Sequence, residues 1–353
     1  MSSYDDSILC CCEYYNSKQE RSHILGCCCD CEDLDESVER LVVCERVPLS
    51  RVAGAMSSFQ DRLRVPWRGG AKQVSLDAAL PLVLQPLLAC LAVQGAWCTA
   101  AVFVSACAGA CYLRRLFPRF HPRSKFFLVW TLTSAALLLL VFEVDVVPLL
   151  EILPGENGTL VLLVLAALGC AQAVRLRAPL CHAGAEEEGG IPCAVCRRLV
   201  PPRTYHCRTC QACVLARDHH CVWLDCCIGE RNRHVFMLSL LLSVASLAYG
   251  AVLTLTTVCH PFFFMELVLL PDDCSDVYHD SQMALCFVSA LYCLLLAVLL
   301  LAQLVHQCVL VSLGQTGQEW RLAGRPCCGP RSDRPYSRGL LRNWARFLSC
   351  RKG

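Results

Sequence analysis

Between Cys193 and Cys227 the chain places eight cysteines and three histidines within thirty-five residues. Written with its spacings, the run reads C-x2-C, then His206-Cys207, then C-x2-C-x2-C, then Asp218-His219-His220-Cys221, and finally Cys226-Cys227. A structural zinc ion takes four Cys or His ligands in a tetrahedron. Two such ions use eight of the eleven donors and leave a thiol, an imidazole beside it and one extra cysteine. A spare Cys next to a spare His, with an Asp adjoining, has the parts of a nucleophile, a base and an orienting group. The run reads as a metal-built scaffold carrying a reactive thiol.

The elements that position it belong to a membrane protein. The chain has 353 residues, 55% hydrophobic and 18% charged, with a mean hydropathy of +0.45. That balance is far too apolar for a soluble protein of this size. A net charge of +2 gives no sign of nucleic acid, because the basic residues are clustered locally. Thirty cysteines would suggest disulfides in a small secreted domain, but this chain is long and no cleavable signal is read in its polar N-terminal region. Cytosolic thiols used for metal binding, catalysis or acylation fit better.

Apolar runs cover 78–113, 126–142, 159–174, 235–258 and 283–311. A spanning helix needs about 20 apolar residues. The first run, interrupted near Gln94-Gly95, is read as two short spans in a hairpin, with one long tilted helix as the alternative. The fold class expected is an all-α polytopic membrane protein of about six spans with a small zinc-bound β-hairpin domain. Its divisions are a Cys-rich N-terminal region 1–77, four spans in 78–175, the zinc domain 176–234, two spans in 235–311 and a basic tail 312–353. Loop 114–125 holds Arg114, Arg115, Arg119, Arg123 and Lys125 with no acid, whereas 143–158 and 259–282 hold acids with no Lys or Arg. Cytoplasmic loops attract Lys and Arg, so both termini and the zinc domain are expected in the cytosol, and six spans satisfy this. The spans carry no Asp, Glu, Lys or Arg except at their ends, which argues against a transporter or channel. Cys259 and Cys274 flank a loop on the oxidising side and are candidates for a disulfide.

The zinc spacing, together with Pro201, Arg203, His206, Asp218 to Cys221, Trp223, Cys227, Gly229, Asn232 and Phe236, resembles the cysteine-rich domain of DHHC-family protein S-acyltransferases. Leu9 to Tyr14, the run Asp61 to Lys72, and Val222 where most members carry Pro narrow the resemblance within that family. The resemblance implies two structural zinc ions, one on Cys193, Cys196, His206 and Cys213 and the other on Cys207, Cys210, His220 and Cys227. Spacing alone leaves open whether His219 or His220 is the ligand. It further implies that Cys221 is the nucleophile, with His219 and Asp218 activating it. The reaction implied moves a fatty acyl group from acyl-CoA (palmitoyl-CoA) through a Cys221 thioester to cysteines of membrane-associated proteins. Arg203 is the candidate for the CoA phosphates. An endomembrane, Golgi or endoplasmic reticulum, is expected, with the plasma membrane as the alternative.

Several positions depart from the family pattern. Asp225 and Cys226 stand where the family has two Asn. The Asp-Pro-Gly element is degraded to Arg177-Ala178-Pro179. A Thr-Thr-x-Glu element is represented by Ser312 to Gln315 or by Thr316 to Glu319. These departures favour the competing reading, a membrane-anchored zinc scaffold that has lost catalysis; the intact Asp218, His219 and Cys221 favour the enzyme. A membrane ubiquitin ligase needs a different ligand order. Cys10 to Cys12, Cys27 to Cys29, Cys31 and Cys44 read either as a third metal site or as sites of acylation or thiol chemistry. Tyr336 to Cys350 places Leu340, Leu341, Trp344, Phe347 and Leu348 on one helical face, with Arg338, Arg342 and Arg346 recurring every four residues. That pattern suits a helix on an anionic membrane surface or one packed on the enzyme core.

Overall fold

The computed structural model describes residues 10, 12–16, 19–24, 32–120, 124–149, 152–184, 190–264, 268–323 and 335–349. They form two compact units, Met1–Val83 and Leu84–Gly353. In the first, β1 (Glu13–Tyr15) pairs with β2 (Arg21–His23), followed by α1 (Glu32–Val42), α2 (Leu49–Arg62) and the hairpin of β3 (Arg64–Val65) with β4 (Lys72–Gln73). The Ala71 N–H donates to the Glu13 carbonyl at 2.7 Å, and the Arg64 guanidinium lies 3.9 Å over the Tyr14 ring, so the two hairpins lock together. Cys11, Cys27 to Cys29 and Cys31 lie outside the described residues.

Five segments are long and apolar enough to cross a membrane: Ala96–Leu113, Phe126–Leu149, Pro154–Cys181, Arg233–Val258 and Ser281–Leu313. In helical terms these are α4 (Ala96–Phe120), α5 (Phe126–Val141) with a π turn and α6 (Val147–Leu149), α7 (Pro154–Arg177), α8 (Arg233–Val258) and α9 (Ser281–Leu313). Ahead of them, α3 (Leu76–Ala92) is a shorter apolar helix. The break between α3 and α4 falls at Val93 to Gly95, where the sequence reading puts it. One expectation fails. Segment 114–125 is not a loop, because α4 continues to Phe120. Arg is a good helix former, so a basic run marks a side of the membrane without ending a helix.

α8 packs between α7 and α9. At one end of this bundle, Phe142, Val146, Leu253, Val258, Cys286 and their neighbours form a buried core, closed by the Cys259–Cys274 disulfide beneath the hairpin β11 (His260–Phe264) with β12 (Val268–Asp273). α9 is longer than a single crossing requires. Its 33 residues rise about 50 Å, against a hydrocarbon core of about 30 Å.

Three hairpins make up the cysteine-rich region: β5 (Ile191–Pro192) with β6 (Leu199–Val200), β7 (Tyr205–Cys207) with β8 (Ala212–Val214), and β9 (His219–Cys221) with β10 (Cys226–Ile228). Such short strands bury little apolar surface, so another source of stability is required. After α9 come α10 (Gly317–Ala323) and α11 (Leu340–Leu348). α11 packs on the end of α9: Trp344 Nε1 donates to Ser312 Oγ at 3.0 Å, and Asn343 Nδ2 to the Ser312 carbonyl at 3.0 Å. Of the two readings of this segment, packing on the core accounts for Asn343 and Trp344, while Leu341 and Leu348 remain exposed.

Candidate active site and metal centres

Side chains alternate across a strand, so His219 and Cys221 share one face of β9 and His220 takes the other. The register decides what each face meets. His220 lies opposite Cys227, and Cys221 opposite Cys226. The pleat therefore resolves which histidine joins the cysteines. On the His220 face, Cys207, Cys210, His220 and Cys227 bring their ligand atoms within 4.8 Å of one another, and so do Cys193, Cys196, His206 and Cys213 in a second cluster. Cys193 and Cys196 sit in the tight β5–β6 turn, where Cys193 N–H donates to the Arg198 carbonyl and Arg197 takes a left-handed φ of 59°.

The donor sets fit zinc. Cys196 and Cys213 sulfurs are 3.4 Å apart, Cys210 and Cys227 3.6 Å, and His220 Nδ1 lies 3.4, 3.7 and 3.9 Å from Cys210, Cys227 and Cys207. Zn–S bonds of about 2.3 Å at tetrahedral angles put neighbouring sulfurs about 3.8 Å apart. A disulfide would need about 2.05 Å. Among the described residues these two clusters are the ones with ligand geometry.

Cys221 and Cys226 belong to neither cluster. Cys221 is buried with Val174, Ala178, Ile228, Val235, Phe236 and Leu240, against the ends of α7, α8 and α9. His219 lies on the same face of β9 as the Cys221 thiol, and its Nδ1 meets Asp218 Oδ2 at 2.7 Å. Burial works against charging the His219 ring, but Asp218 and Cys221 outweigh it and push its pKa up to about 9. Burial likewise opposes ionisation of Asp218. The Arg233 charge, His219 and the Gly317 N–H nevertheless hold its carboxyl well below the usual range. The arrangement is a thiol, an imidazole beside it and a fixed anion behind the ring, the order of groups that activation of a thiol requires.

Asp218 is only 1% exposed. It accepts from Gln307 Nε2 on α9 at 2.8 Å and from the Gly317 N–H at 2.7 Å. A Cβ at Gly317 would lie 3.1 Å from the Asp218 carbonyl oxygen, tighter than most Cβ contacts, so a side chain there would push against Asp218. Thr316 and Glu319 cap each other across α10: the Thr316 N–H donates to Glu319 Oε2 and the Glu319 N–H to Thr316 Oγ1. Thr316 to Glu319 is thus the segment that ties the tail to the site. The weak motif does not prevent docking.

The sequence reading assigns Arg203 to CoA phosphates. Here its guanidinium grips Glu319 with two bonds, 2.7 and 2.9 Å, and lies 4.4 Å over the Tyr336 ring. Gln307, Arg233 and Gly317 escaped sequence reasoning. A lone Gln and an Arg at span ends were the available signals. Asn232, noted in the family pattern, is fully buried; its amide donates to the Val174 and Cys227 carbonyls and accepts from the Gly229 N–H. It fastens the β9–β10 hairpin to α7. Replacing it with Ala strands three polar groups, each costing about 1–3 kcal/mol, so Asn232→Ala should lower the thermal midpoint of the detergent-solubilised protein by several degrees. An unchanged midpoint would mean that water replaces the amide.

Residues 186–323 match the DHHC palmitoyltransferase family. Palmitoyltransferase ZDHHC23-B of Danio rerio is 32% identical, over 98% of this chain and 93% of its own length. The chain belongs to the DHHC palmitoyltransferase family. Palmitoyltransferase ZDHHC23 of Rattus norvegicus is 30% identical over 96% of this chain and 92% of its own, and that of Homo sapiens 29% over 92% and 91%. As a DHHC palmitoyltransferase the protein is an integral membrane protein S-acyltransferase, and its Cys/His clusters suit the zinc of a DHHC domain.

Proposed function

We propose that the protein takes a long-chain acyl group from acyl-CoA, palmitoyl-CoA above all, onto Cys221 and passes it to cysteine thiols of membrane-associated proteins at the cytosolic face. One observation carries this: the thiol that His219 and Asp218 support is free of both clusters and faces the apolar ends of α7, α8 and α9. The Cys221 thiolate attacks the thioester carbonyl, the bond to the CoA sulfur breaks, and CoA leaves as its thiol. A substrate cysteine then attacks the Cys221 thioester and restores the thiol. Each step exchanges one thioester for another, so little driving force is needed. Within the apolar bundle each buried methylene of the acyl chain contributes about 0.8 kcal/mol.

Asp218 orients the His219 ring, and Gln307, Gly317 and Arg233 hold Asp218. Zinc, bound by Cys193, Cys196, His206 and Cys213 and by Cys207, Cys210, His220 and Cys227, would supply roughly 10–16 kcal/mol of folding free energy. Arg203 is the candidate for the CoA phosphates, its guanidinium held in place by Glu319 and stacked over Tyr336. The test is incubation of the purified protein with palmitoyl-CoA and a cysteine-bearing protein substrate. Hydroxylamine-sensitive label is expected first on the enzyme and then on the substrate. Label reaching the substrate without an enzyme adduct would contradict the two-step route.

Acyl-CoA is cytosolic, so the reading requires a particular topology: six spans with α3 as the sixth, and the zinc domain 176–234 and both ends 1–77 and 312–353 in the cytosol; an endomembrane is the expected residence and the plasma membrane the alternative. The disulfide at the acidic 259–282 segment supports an oxidising far side. Tags at Met1, at Ala183 to Gly190 and at Gly353 should be reachable after selective plasma-membrane permeabilisation. Tags in 151–158 or 270–280 should stay protected. A protected Met1 tag beside a reachable 183–190 tag would mean that 78–113 crosses only once.

A further inference from the structure

Of the eight cysteines between Cys193 and Cys227, the two outside both Cys/His clusters, Cys221 and Cys226, face each other. They are cross-strand partners in β9–β10. Both are buried, at 6% and 7% exposure, in the same apolar cluster, and both are free thiols. Directly opposed residues of an antiparallel pair have Cα atoms about 4.5–5.5 Å apart. That lies inside the range of about 4.4–6.8 Å that a disulfide bridges. Opposed residues also send their side chains to the same face of the hairpin. The connecting turn is fixed: Leu224 N–H reaches the Cys221 carbonyl at 3.3 Å, and Asp225 takes a left-handed φ of 47°. Cross-strand partnership in this hairpin thus puts the pair within the reach of a disulfide.

We propose that Cys221 and Cys226 form a redox-sensitive dithiol, in which a peroxide oxidises the Cys221 sulfur and Cys226 resolves the product as an intramolecular disulfide that reversibly stops acyl transfer. This rests on the reading of Cys221 as nucleophile. In the first step the Cys221 sulfur attacks a peroxide oxygen and the O–O bond breaks. Cys221 becomes a sulfenic acid, and the departing hydroxide or alkoxide takes up a proton. In the second step the Cys226 sulfur attacks the sulfenic sulfur. The S–S bond forms, the S–O bond breaks, and hydroxide leaves as water with the Cys226 proton. Two electrons pass from the thiol pair to the peroxide. A small dithiol returns them by exchange and is itself oxidised to a disulfide. Without a resolving thiol, a sulfenic acid proceeds to sulfinic acid, which such a dithiol does not reverse. A Cys221 already acylated has no free sulfur to oxidise, so acyl-CoA competes with peroxide for the same atom.

The test uses the full chain in detergent, treated with graded hydrogen peroxide and then with dithiothreitol. Autoacylation from palmitoyl-CoA, zinc content and peptide-mapped disulfides are read on each sample. The expected result is a Cys221–Cys226 bridge at unchanged zinc content. Autoacylation should be lost with peroxide and mostly regained with dithiothreitol. Cys226→Ser, with Cys226→Ala beside it in case a hydroxyl is poorly tolerated in the apolar cluster, should regain roughly tenfold less of its own untreated activity. Equal recovery in these variants, or a bridge to a cluster cysteine with zinc released, would overturn the proposal. Bridge mapping on the wild type needs neither a variant nor activity, so the two readings fail separately. An untreated protein that does not acylate counts against Cys221 as nucleophile; an active protein that forms no Cys221–Cys226 bridge counts against the dithiol.

Discussion

Cys221→Ser is expected to abolish both autoacylation and transfer to substrate while leaving two zinc equivalents bound and the protein folded. The expectation follows from geometry: each Cys/His cluster is complete with four donors, and Cys221 is in neither. A serine hydroxyl is a far weaker nucleophile at neutral pH, so the loss should reach the assay floor, at least about a hundredfold. Metal analysis of the same preparation makes the result decisive. A variant that lost one zinc would show Cys221 to be a ligand, and the mechanism built on it would fall.

The paired histidines should separate cleanly. His220→Ala removes one of four donors from a cluster whose metal contributes roughly 10–16 kcal/mol to folding, so it should lose one zinc and unfold the hairpins. His219→Ala should keep both zinc ions and slow acylation. Its pH profile should also differ from that of the wild type. With a pKa raised to about 9, the His219 ring stays charged through neutrality, and its support for a thiolate is present below that value and fades above it. Wild-type acylation should therefore lose the His219 contribution as the pH rises through about 9. The variant depends on unaided ionisation, for which an ordinary cysteine has a pKa of about 8.5, so its rate should climb and the deficit narrow as pH rises. A His219→Ala protein that lost metal beside a His220→Ala protein that kept it would reverse the assignment.

How far these residues could be read from sequence depended on the range of the interaction. The C-x2-C spacings are local, since a metal cluster draws on turns only a few residues long, and both donor sets expected from the family resemblance come together in space. The choice between His219 and His220 needed the strand register, because adjacent residues differ only in the face they present. Asp218 was legible as part of the tetrad, yet its supports were not. Gln307 and Gly317 lie 89 and 99 residues away, and no periodicity announces them. The carboxylate that Arg203 meets was hidden for the same reason, lying 116 residues along the chain. Charge pattern marked a basic segment at 114–125 but could not show that α4 runs on through most of it. Hydropathy fared better, since the break ahead of Ala96 coincides with Gln94-Gly95.

The most direct test of the central claim is one measurement on the wild-type protein: zinc stoichiometry together with mass-spectrometric mapping of the acyl group after a brief exposure to palmitoyl-CoA. The account predicts two zinc ions per chain and a single hydroxylamine-labile acyl group on the peptide containing Cys221. An acylated protein with no acyl group on the Cys221 peptide, or one zinc in a fully acylated protein, would contradict it.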